Sequence, residues 1–337
     1  MHSIRALALV LLVAIATACS GEGTGPVIRV RVPHGASLDE VADSLVQKGI
    51  LRAPTLFRAY ARIAGVDDEI KSGTYGFRRG AGWKKVLDDL RFGRILTARL
   101  VIPEGWSLRG IAPSLAEITG APADSILAVL SDPACAEKFD VPGPTLEGYL
   151  YPATYTIPVD APLDSIIALL VGKYHSIWTP ARVAAADALG MTERQVITLA
   201  SIVEKEAKRR EEMPLIAAVY HNRLRIGYPL QADPTVQYAL GTHQERLLYA
   251  HIDSVADNPY NTYRHRGLPP GPIASPSIPA VDATLHPADV DYLYFVARPD
   301  GSHIFSRSLA EHNRARARLR RNRRVTPATD TTGERGL

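Results

Sequence analysis

Residues that could build covalent cross-links or metal sites are scarce in this sequence. Only two cysteines, Cys19 and Cys135, occur among the 337 residues, and if Cys19 carries a modification, Cys135 has no partner for a structural disulfide. The ten histidines are scattered without the spacing of metal ligands. The sequence also contains neither a glycine-rich phosphate loop after a strand nor a His-Glu-x-x-His motif. We therefore expect no metal site and no cofactor.

A strong excess of charge of either sign is also lacking. The formal net charge is only +4, and part of it comes from the arginine-rich residues 314–324, a pattern typical of a solvated helix end. Attraction of these arginines to anionic lipid headgroups is a second interpretation. Neither interpretation implies nucleic acid as a partner. A hydrophobic content of 46% excludes a disordered chain and leaves room for two or more domains; only residues 326–337 are predicted to form a disordered tail.

No apolar run is long enough to cross a bilayer comfortably. The run Ala6–Ala18 follows Arg5 and has the length of a signal-peptide core. It ends in an Ala-Thr-Ala-Cys tetrapeptide that resembles a bacterial lipobox, with Cys19 as the lipidated residue. Residues 1–19 therefore predict a signal peptide or, alternatively, an uncleaved membrane anchor. The glycine- and serine-rich residues 20–26 predict a flexible tether.

Two glutamates lie in an otherwise apolar helical stretch. Thr192 and Gln195 match a capping box, so we predict a helix that starts there and runs to about Arg210. Residues two positions apart in an α-helix point about 200° apart. Glu204 and Glu206 should therefore flank the apolar stripe of this helix on opposite sides, and only one of them can face a given cleft.

The sequence around each glutamate predicts a different charge state. Glu206 is followed one turn later by Arg209 and Arg210, which should favour its charged form. Glu204 instead meets small and apolar residues, and a carboxyl group held against hydrocarbon tends to keep its proton. Glu204 is therefore the better candidate for a proton donor. The alternative is that both are half-exposed helix glutamates without a catalytic role.

Several long motifs accompany this helix in a characteristic order. Together with the Ser-Ile-Val-Glu-Lys-Glu motif that contains Glu204, they resemble the YceG-like family of MltG-type endolytic murein transglycosylases. The resemblance covers nearly the whole chain after the first two dozen residues. The segments that carry it are 146–152 (Leu-Glu-Gly-Tyr-Leu-Tyr-Pro), 219–239, 259–275, 292–297 (Tyr-Leu-Tyr-Phe-Val-Ala), and 303–306 followed by His312 and Asn313.

The resemblance implies a specific reaction. In this family the first glutamate of the motif, here Glu204, protonates the glycosidic oxygen between N-acetylmuramic acid and N-acetylglucosamine. The muramoyl C6 hydroxyl then attacks the anomeric carbon and leaves a 1,6-anhydromuramoyl end. One carboxyl group can serve first as acid and then as base. The implied partners are peptidoglycan glycan strands and peptidoglycan synthases. The implied location is the bacterial cell envelope, with an N-terminal membrane anchor and the catalytic domain outside the cytoplasm.

Polar and aromatic side chains of the same motifs are candidates for binding sugar. Hydroxyl, amide and carboxylate groups can bond sugar hydroxyls and acetamido groups, and aromatic rings can stack on sugar faces. Core packing is the alternative for each tyrosine. The candidate substrate-binding residues are Glu147, Asn222, Gln231, Asp233, Thr235, Tyr260, Asn261 and Tyr263.

Two other functions remain open from the sequence. If Asp233 acted with Glu204 as a second catalytic carboxylate, the protein would be a muramidase-type hydrolase, since ordinary glycoside hydrolysis uses two carboxylates across the bond. Without catalysis, it would be a lipoprotein that binds peptidoglycan.

An internal duplication indicates the domain organisation. Val32–Leu45 aligns without gaps to Ile102–Leu115, and each copy predicts a strand, a turn and a helix capped by Ser37 or Ser107. The family resemblance places a LysM-like subdomain at residues 27–98 and a mixed α/β catalytic domain at residues 99–325. The predicted fold class is therefore α+β.

Shorter segments give further structural predictions. Residues 121–145 and 156–190 predict mainly helices, and residues 291–297 alternate like a strand. The Gly-Leu-Pro-Pro-Gly sequence of residues 267–271 predicts a rigid turn lining the cleft. Trp83 and Trp106 are predicted to be core residues rather than platforms that stack on sugar. Whether the LysM-like subdomain grips glycan or only positions the catalytic domain is left open by the sequence.

Overall fold

The computed structural model describes residues 21–325, and of residues 322–325 only the backbone. The predictions for the signal peptide, for lipidation of Cys19 and for the tail 326–337 lie outside the described residues. Among residues 21–325, no helix combines the length and the apolar character that crossing a bilayer requires.

The described chain divides into two compact units. The first contains the described residues up to Leu100 together with Tyr155–Leu163, and the second contains Val101–Thr154 and the described residues from Asp164 onward. The predicted domain boundary after residue 98 lies close to Leu100. The prediction assigned residues 155–163 to the catalytic domain, whereas the structure groups them with the first unit.

In the first unit, a two-stranded antiparallel sheet packs with three helices. Strand β1 (Thr24–Val32) pairs with β2 (Gly73–Arg79), with Val30 opposite Tyr75. The helices are α1 (Leu38–Gln47), α2 (Pro54–Ile63) and α3 (Trp83–Phe92). Alternate residues of the strands face inward, as expected for a sheet covered on one face. The core residues Val30, Leu45, Phe57, Tyr75, Phe77 and Leu90 are at most 1% exposed.

The start of β1 corrects the predicted tether. Because β1 begins at Thr24, residues 24–26 of the predicted tether belong to a strand. The Gly21 carbonyl accepts a hydrogen bond from the Gly82 amide at 2.7 Å, and the Gly25 carbonyl accepts one from the Arg78 guanidinium at 2.6 Å. The described part of the segment is therefore fixed by hydrogen bonds.

The duplicated motif forms a strand, a turn and a helix in both copies, as predicted. The second copy comprises β3 (Thr97–Val101), which pairs with β4 (Thr154–Pro158), and α4 (Leu108–Thr119). The two helix starts differ in their caps. Ser37 caps α1 in a capping box with Glu40, whereas the Ser107 side chain makes no cap bond. The Leu108 amide of α4 instead donates to the Glu147 carboxylate, at 3.1 and 3.2 Å from its two oxygens.

The second unit is mainly helical, and helix α9 (Glu193–Glu206) is at its centre. Helix α9 packs against α10 (Met213–Arg225) and α13 (Ile278–Leu285). A short antiparallel hairpin of β5 (Tyr294–Ala297) and β6 (His303–Ser306) pairs Tyr294 with Ser306 and Ala297 with His303. The remaining elements of this unit are α5 (Ala123–Leu130), α6 (Pro133–Lys138), α7 (Leu163–His175), α8 (Pro180–Ala188), α11 (Asp233–Leu240), α12 (Tyr249–Ser254) and α14 (Leu309–Val325).

The α+β fold class is confirmed. The helices predicted in residues 121–145 and 156–190 are present, although residues 156–158 belong to β4. The strand predicted at 291–297 begins three residues later, at Tyr294. Within residues 21–325 the strands form three separate two-stranded sheets, so helices provide most of the framework around the glutamates of α9.

Candidate active site

Helix α9 begins as predicted and ends earlier. Thr192 caps it, with the Gln195 amide donating to the Thr192 hydroxyl and the Gln195 side chain accepting from the Thr192 amide. The predicted end near Arg210 is wrong, because Ala207 adopts an extended backbone (φ −75°, ψ 116°) and the last helical residue is Glu206. Glu204 and Glu206 therefore lie in the last turn of the helix.

The Glu204 carboxylate is partly buried and is held through one oxygen. Its Oε2 accepts a hydrogen bond from the Ser277 amide at 3.1 Å and another from the Ser277 hydroxyl at 2.5 Å. Ser277 is also the N-cap of α13, and its hydroxyl accepts from the Ala280 amide. The positive end of a helix dipole favours a nearby anion. Within the described residues Oε1 has no hydrogen-bond partner, so one oxygen is fixed and the other, called open below, forms no bond with the protein.

An irregular segment, residues 267–277, runs along α9 and is called the strap below. The Arg194 guanidinium donates to the Pro270 carbonyl at 2.8 Å, near the start of the helix. Further along, the Ile273 amide donates to the buried Ser201 hydroxyl at 3.0 Å. The Ser277 bonds to Glu204 complete this series. The strap is thus fixed at three positions of α9, and the last position fixes the Glu204 carboxyl group.

The segment that contains Glu147 packs closely behind the strap. Gly148 has φ +84°, and a Cβ at this position would lie 2.4 Å from Cβ of Pro272. Only glycine satisfies both the backbone angle and this approach. The backbone angle and the contact with Pro272 therefore explain why the third residue of the Leu-Glu-Gly-Tyr motif is glycine.

A second loop closes on Glu204 from the N-terminal side of α4. Gly105 and Trp106 exchange backbone hydrogen bonds with Ser275 of the strap, both at 2.8 Å. The Lys205 ammonium donates to the Gly105 carbonyl at 3.1 Å. A Cβ on Gly105 would lie 3.6 Å from Cγ of Glu204. The backbone at Gly105 therefore forms one wall beside the candidate acid.

Trp106 is not a core residue, which corrects the prediction. Its side chain is 39% exposed. The ring lies against the first turn of α4, where a Cβ on Gly110 would be 3.3 Å from the indole Cε3 atom. Trp83, in contrast, packs against the core of the first unit with its ring centroid 6.2 Å from that of Phe57, as predicted.

The predicted environment of Glu206 is also wrong. Arg209 pairs with Asp300 and Arg210 pairs with Glu104, so neither arginine neutralises Glu206. The Tyr220 hydroxyl donates to Oε1 of Glu206 at 2.9 Å. Burial raises the pKa of Glu206 to about 7, although the Tyr220 hydrogen bond opposes the rise. The arginines therefore give no reason to prefer Glu204 as the acid, and the preference depends on the open Oε1 of Glu204 and on its place in the motif.

Among the candidate binding residues, four lie on accessible or partly accessible surface. Gln231 and Asp233 are exposed, and Tyr260 and Tyr263 are partly buried. The Tyr263 hydroxyl donates to the Asp233 carboxylate at 2.5 Å. The backbone amide of Gln231 donates to the backbone carbonyl of Thr262 at 3.1 Å. The structure thus brings together the two loops that the sequence separates by about thirty residues.

The other four candidates are buried, and their polar atoms bond to the protein itself. Asn222 donates to the carbonyls of Val290 and Tyr292 at 2.8 and 3.0 Å. Thr235 donates to the Ala232 carbonyl at 2.7 Å, and Asn261 donates to the Ile252 carbonyl at 2.8 Å. The exposed fractions of Glu147, Asn222, Thr235 and Asn261 are 3%, 7%, 0% and 0%. Direct contact with sugar does not fit the burial of Glu147, Thr235 and Asn261, whereas Asn222 also lines the cavity described below.

Glu147 is the most unusual of these buried residues. Its carboxylate accepts from the Leu108 amide and lies beside the Tyr238 hydroxyl. The ring centroids of Tyr238 and Tyr260 are 4.8 Å apart. Burial raises the pKa of Glu147 to about 8, against the effect of the Leu108 and Tyr238 hydrogen bonds and of nearby Arg109. Its side chain thus fixes the start of α4, next to the Trp106 loop.

A cavity of about 1030 Å³ opens at the opposite end of α9. It is lined by Thr192, Gln195 and Thr198 of the helix and by Gly267 and Leu268 of the strap, and Glu204 is not among the residues that line it. The turn predicted to line a cleft therefore lines this cavity. Among residues 21–325 no group of three or more His, Cys, Asp or Glu side chains is placed to hold a metal ion.

Comparisons with known proteins agree with the motifs. The chain is 31% identical over 305 residues to the endolytic murein transglycosylase of Bacillus subtilis strain 168, covering 86% of this chain and 84% of that protein. It is 29% identical to the endolytic murein transglycosylase of Streptococcus pneumoniae serotype 2, covering 85% of this chain and 57% of the longer relative.

A solved structure and a family model extend the comparison. The crystal structure of a YceG-like protein from Listeria monocytogenes is 31% identical, with a TM-score of 0.60, over 87% of this chain and all of that one. The model of the YceG-like family matches residues 30–318. The matched range extends over most of both units and includes every residue of the candidate site, and the chain therefore belongs to the YceG-like family.

Proposed function

We propose that this protein is an endolytic lytic transglycosylase. It cleaves the bond between N-acetylmuramic acid and N-acetylglucosamine in peptidoglycan strands and leaves a 1,6-anhydromuramoyl end. The names of the similar proteins support the substrate and the reaction class. The observation that carries the catalytic assignment is the carboxyl group of Glu204, with Oε2 held by Ser277 and Oε1 open.

The hydrogen bonds to Ser277 determine which oxygen of Glu204 carries the proton. A backbone amide can only donate, so Oε2 is an acceptor. A proton on Glu204 therefore resides on Oε1. In the first step Oε1–H protonates the glycosidic oxygen, the bond from that oxygen to the anomeric carbon breaks, and the N-acetylglucosamine side leaves as an alcohol.

The same oxygen then completes the reaction. The Glu204 carboxylate accepts the proton of the muramoyl C6 hydroxyl through Oε1 while the C6 oxygen bonds to the anomeric carbon. The enzyme returns to its starting protonation state, and no water is consumed. Between the two steps the carboxylate is anionic, and the two Ser277 donors together with the start of α13 stabilise that charge.

Hydrolysis by Glu204 with Asp233 is the second candidate function. The described contacts of Asp233 favour a different role, because its carboxylate accepts from Tyr263 and contributes to the raised pKa of Glu206. This arrangement suits an electrostatic and binding role for Asp233.

Product analysis separates the two functions. We expect wild-type protein to convert purified glycan strands to products with anhydro ends, which mass spectrometry recognises because each is one water lighter than a reducing end. Asp233→Asn should give the same anhydro products at a rate within about tenfold of wild type, because the asparagine oxygen can still accept from the Tyr263 hydroxyl. Reducing ends from wild-type protein, or complete loss of cleavage in folded Asp233→Asn, would instead support the hydrolase.

Ser277 should influence turnover through Glu204. Replacing it with alanine keeps the backbone donor and removes the hydroxyl donor, and a hydrogen bond to a charged group contributes about 1.5–3 kcal/mol. We expect Ser277→Ala to lower kcat by about tenfold to a hundredfold with little change in KM.

The matched control is Ser277→Thr, which keeps the hydroxyl and should restore most of kcat. Loss of the cap of α13 also costs about 1 kcal/mol of stability, so thermal unfolding of both variants is measured in parallel. If folded Ser277→Ala turned over at the wild-type rate, Ser277 would have no positioning role.

A further inference from the structure

The exposed indole of Trp106 is a feature of the second unit that the packing of this unit does not explain. Trp178 in the same unit packs edge-on against Tyr174, with ring centroids 6.5 Å apart. Trp106 leaves 39% of its side chain in contact with solvent. Exposing a large aromatic surface forfeits the stabilisation that its burial would provide.

The indole is nevertheless held firmly. The backbone of Trp106 is paired with Ser275 of the strap, and its ring lies against the first turn of α4 at Gly110. A side chain at Gly110 would crowd the ring, so the small residue there leaves room for this conformation. The ring therefore loses little further freedom when it binds a ligand, which lowers the entropic cost of contact.

Trp106 lies in the sequence between Gly105, which is next to Glu204, and Arg109, which is next to the backbone of Tyr238. Its neighbour Gly105 lies against the Glu204 side chain, and Arg109, on the first turn of α4, lies 3.5 Å from the Tyr238 carbonyl. Successive Cα atoms are about 3.8 Å apart. The Cα atom of Trp106 is thus within roughly 9 Å of the Glu204 side chain, about the length of one disaccharide.

We propose that the Trp106 indole stacks on a sugar ring of the glycan strand, next to the bond that Glu204 cleaves. This inference rests on the proposed function, because it takes the ligand of the site to be a glycan. A pyranose ring presents C–H groups on its faces and polar groups at its edges. A flat, electron-rich indole matches such a face and leaves the edges free for hydrogen bonds. Trp106 is a substrate-positioning residue in this scheme and takes no part in proton transfer.

Binding and turnover of two Trp106 variants test the proposal. Trp106→Leu keeps an apolar contact with Gly110 without a flat ring, and Trp106→Tyr keeps a flat ring. We expect Trp106→Leu to raise KM for glycan strands about tenfold with kcat within about twofold of wild type, since an aromatic contact of this kind contributes up to about one factor of ten. Trp106→Tyr should lie close to wild type. Tyr249→Ala, which removes an aromatic side chain that is 84% exposed in the same unit, is the matched control and should leave KM unchanged.

A binding measurement that needs no catalysis separates failure of this inference from failure of the proposed function. In the Glu204→Gln background, glycan strands should change the tryptophan fluorescence, and the change should disappear when Trp106→Tyr is added. If wild type cleaves glycan but folded Trp106→Leu has wild-type KM and binding, the stacking role is overturned. If wild type leaves glycan intact while the fluorescence change still depends on Trp106, the transglycosylase proposal fails and the sugar platform remains.

Discussion

Replacing Glu204 with glutamine is expected to lower kcat by at least about a thousandfold while the protein stays folded and binds glycan strands. General acid–base catalysis contributes about a hundredfold to ten-thousandfold, and in the proposed mechanism one carboxyl group performs both proton transfers. Glutamine has the same shape, and its amide oxygen can still accept from the Ser277 amide and hydroxyl, which now hold Oε2 of Glu204. The side chain should therefore keep its position without a proton to transfer. Release of soluble anhydro-ended fragments from purified glycan measures the loss.

Glu206→Gln is the informative companion variant. Burial raises the pKa of Glu206 to about 7, a value suited to a general acid, so Glu206 is a real competitor for the catalytic role. Its Oε1, however, accepts from the buried Tyr220 hydroxyl, and a glutamine can accept the same bond. We expect Glu206→Gln to retain activity within about tenfold of wild type. A folded Glu206→Gln variant without activity, beside an active Glu204→Gln variant, would reverse the assignment.

The second large effect concerns stability and pH. The pKa of Glu147 rises from 4.5 to about 8 because the folded protein buries its carboxyl group. A carboxyl group with a raised folded-state pKa binds its proton more tightly in the folded state than in the unfolded state. Its contribution to stability is fully present below pH 4.5 and is lost as the pH rises to about 8. Each pH unit in this interval changes the free energy of unfolding by about 1.4 kcal/mol, so the loss reaches at most about 4–5 kcal/mol.

Glu147→Gln should remove this part of the pH dependence. The amide oxygen of glutamine can still accept from the Leu108 amide, so the start of α4 keeps its cap. Chemical denaturation at pH 5, 7 and 9 should show a smaller fall in the free energy of unfolding for the variant than for wild type. Glu117→Gln, at an exposed position of the same helix, should leave the wild-type fall unchanged. Identical curves for Glu147→Gln and wild type would contradict the role of buried Glu147.

Local sequence signals predicted those parts of the fold that local forces determine. The capping box of Thr192 and Gln195 gave the start of α9, since both hydrogen bonds join residues three positions apart. The end of α9 was predicted four residues too late, because the chain turns at Ala207 without a proline or glycine to signal it. The duplicated motif predicted both strand–turn–helix units. It did not reveal that α4 takes its first-turn acceptor from Glu147, thirty-nine residues away.

The candidate site was predictable in its chemistry and only partly in its geometry. The motif that contains Glu204 carries the family resemblance, and the loops of Asp233 and Tyr263 do meet. The contact of Ser277 with Glu204 was not predicted. A serine directly before a helix is nevertheless an ordinary N-cap signal, and the Ser277 hydroxyl does accept from the Ala280 amide at the start of α13. A residue type defines which bonds a side chain can make, but the partner is selected by tertiary packing. For this reason Thr235 and Asn261 were expected at a sugar surface and are instead fully buried.

The discontinuous first unit has a practical consequence for dissecting the protein genetically. A fragment that stops at Leu100 would lack β4, the partner strand of β3. A fragment that begins at Val101 would carry Tyr155–Leu163 without the residues that they pack with. Excising the second unit therefore takes a linker that joins Thr154 to Asp164, and excising the first unit takes a linker that joins Leu100 to Tyr155. Truncations made at a single point should be interpreted as damage to both units.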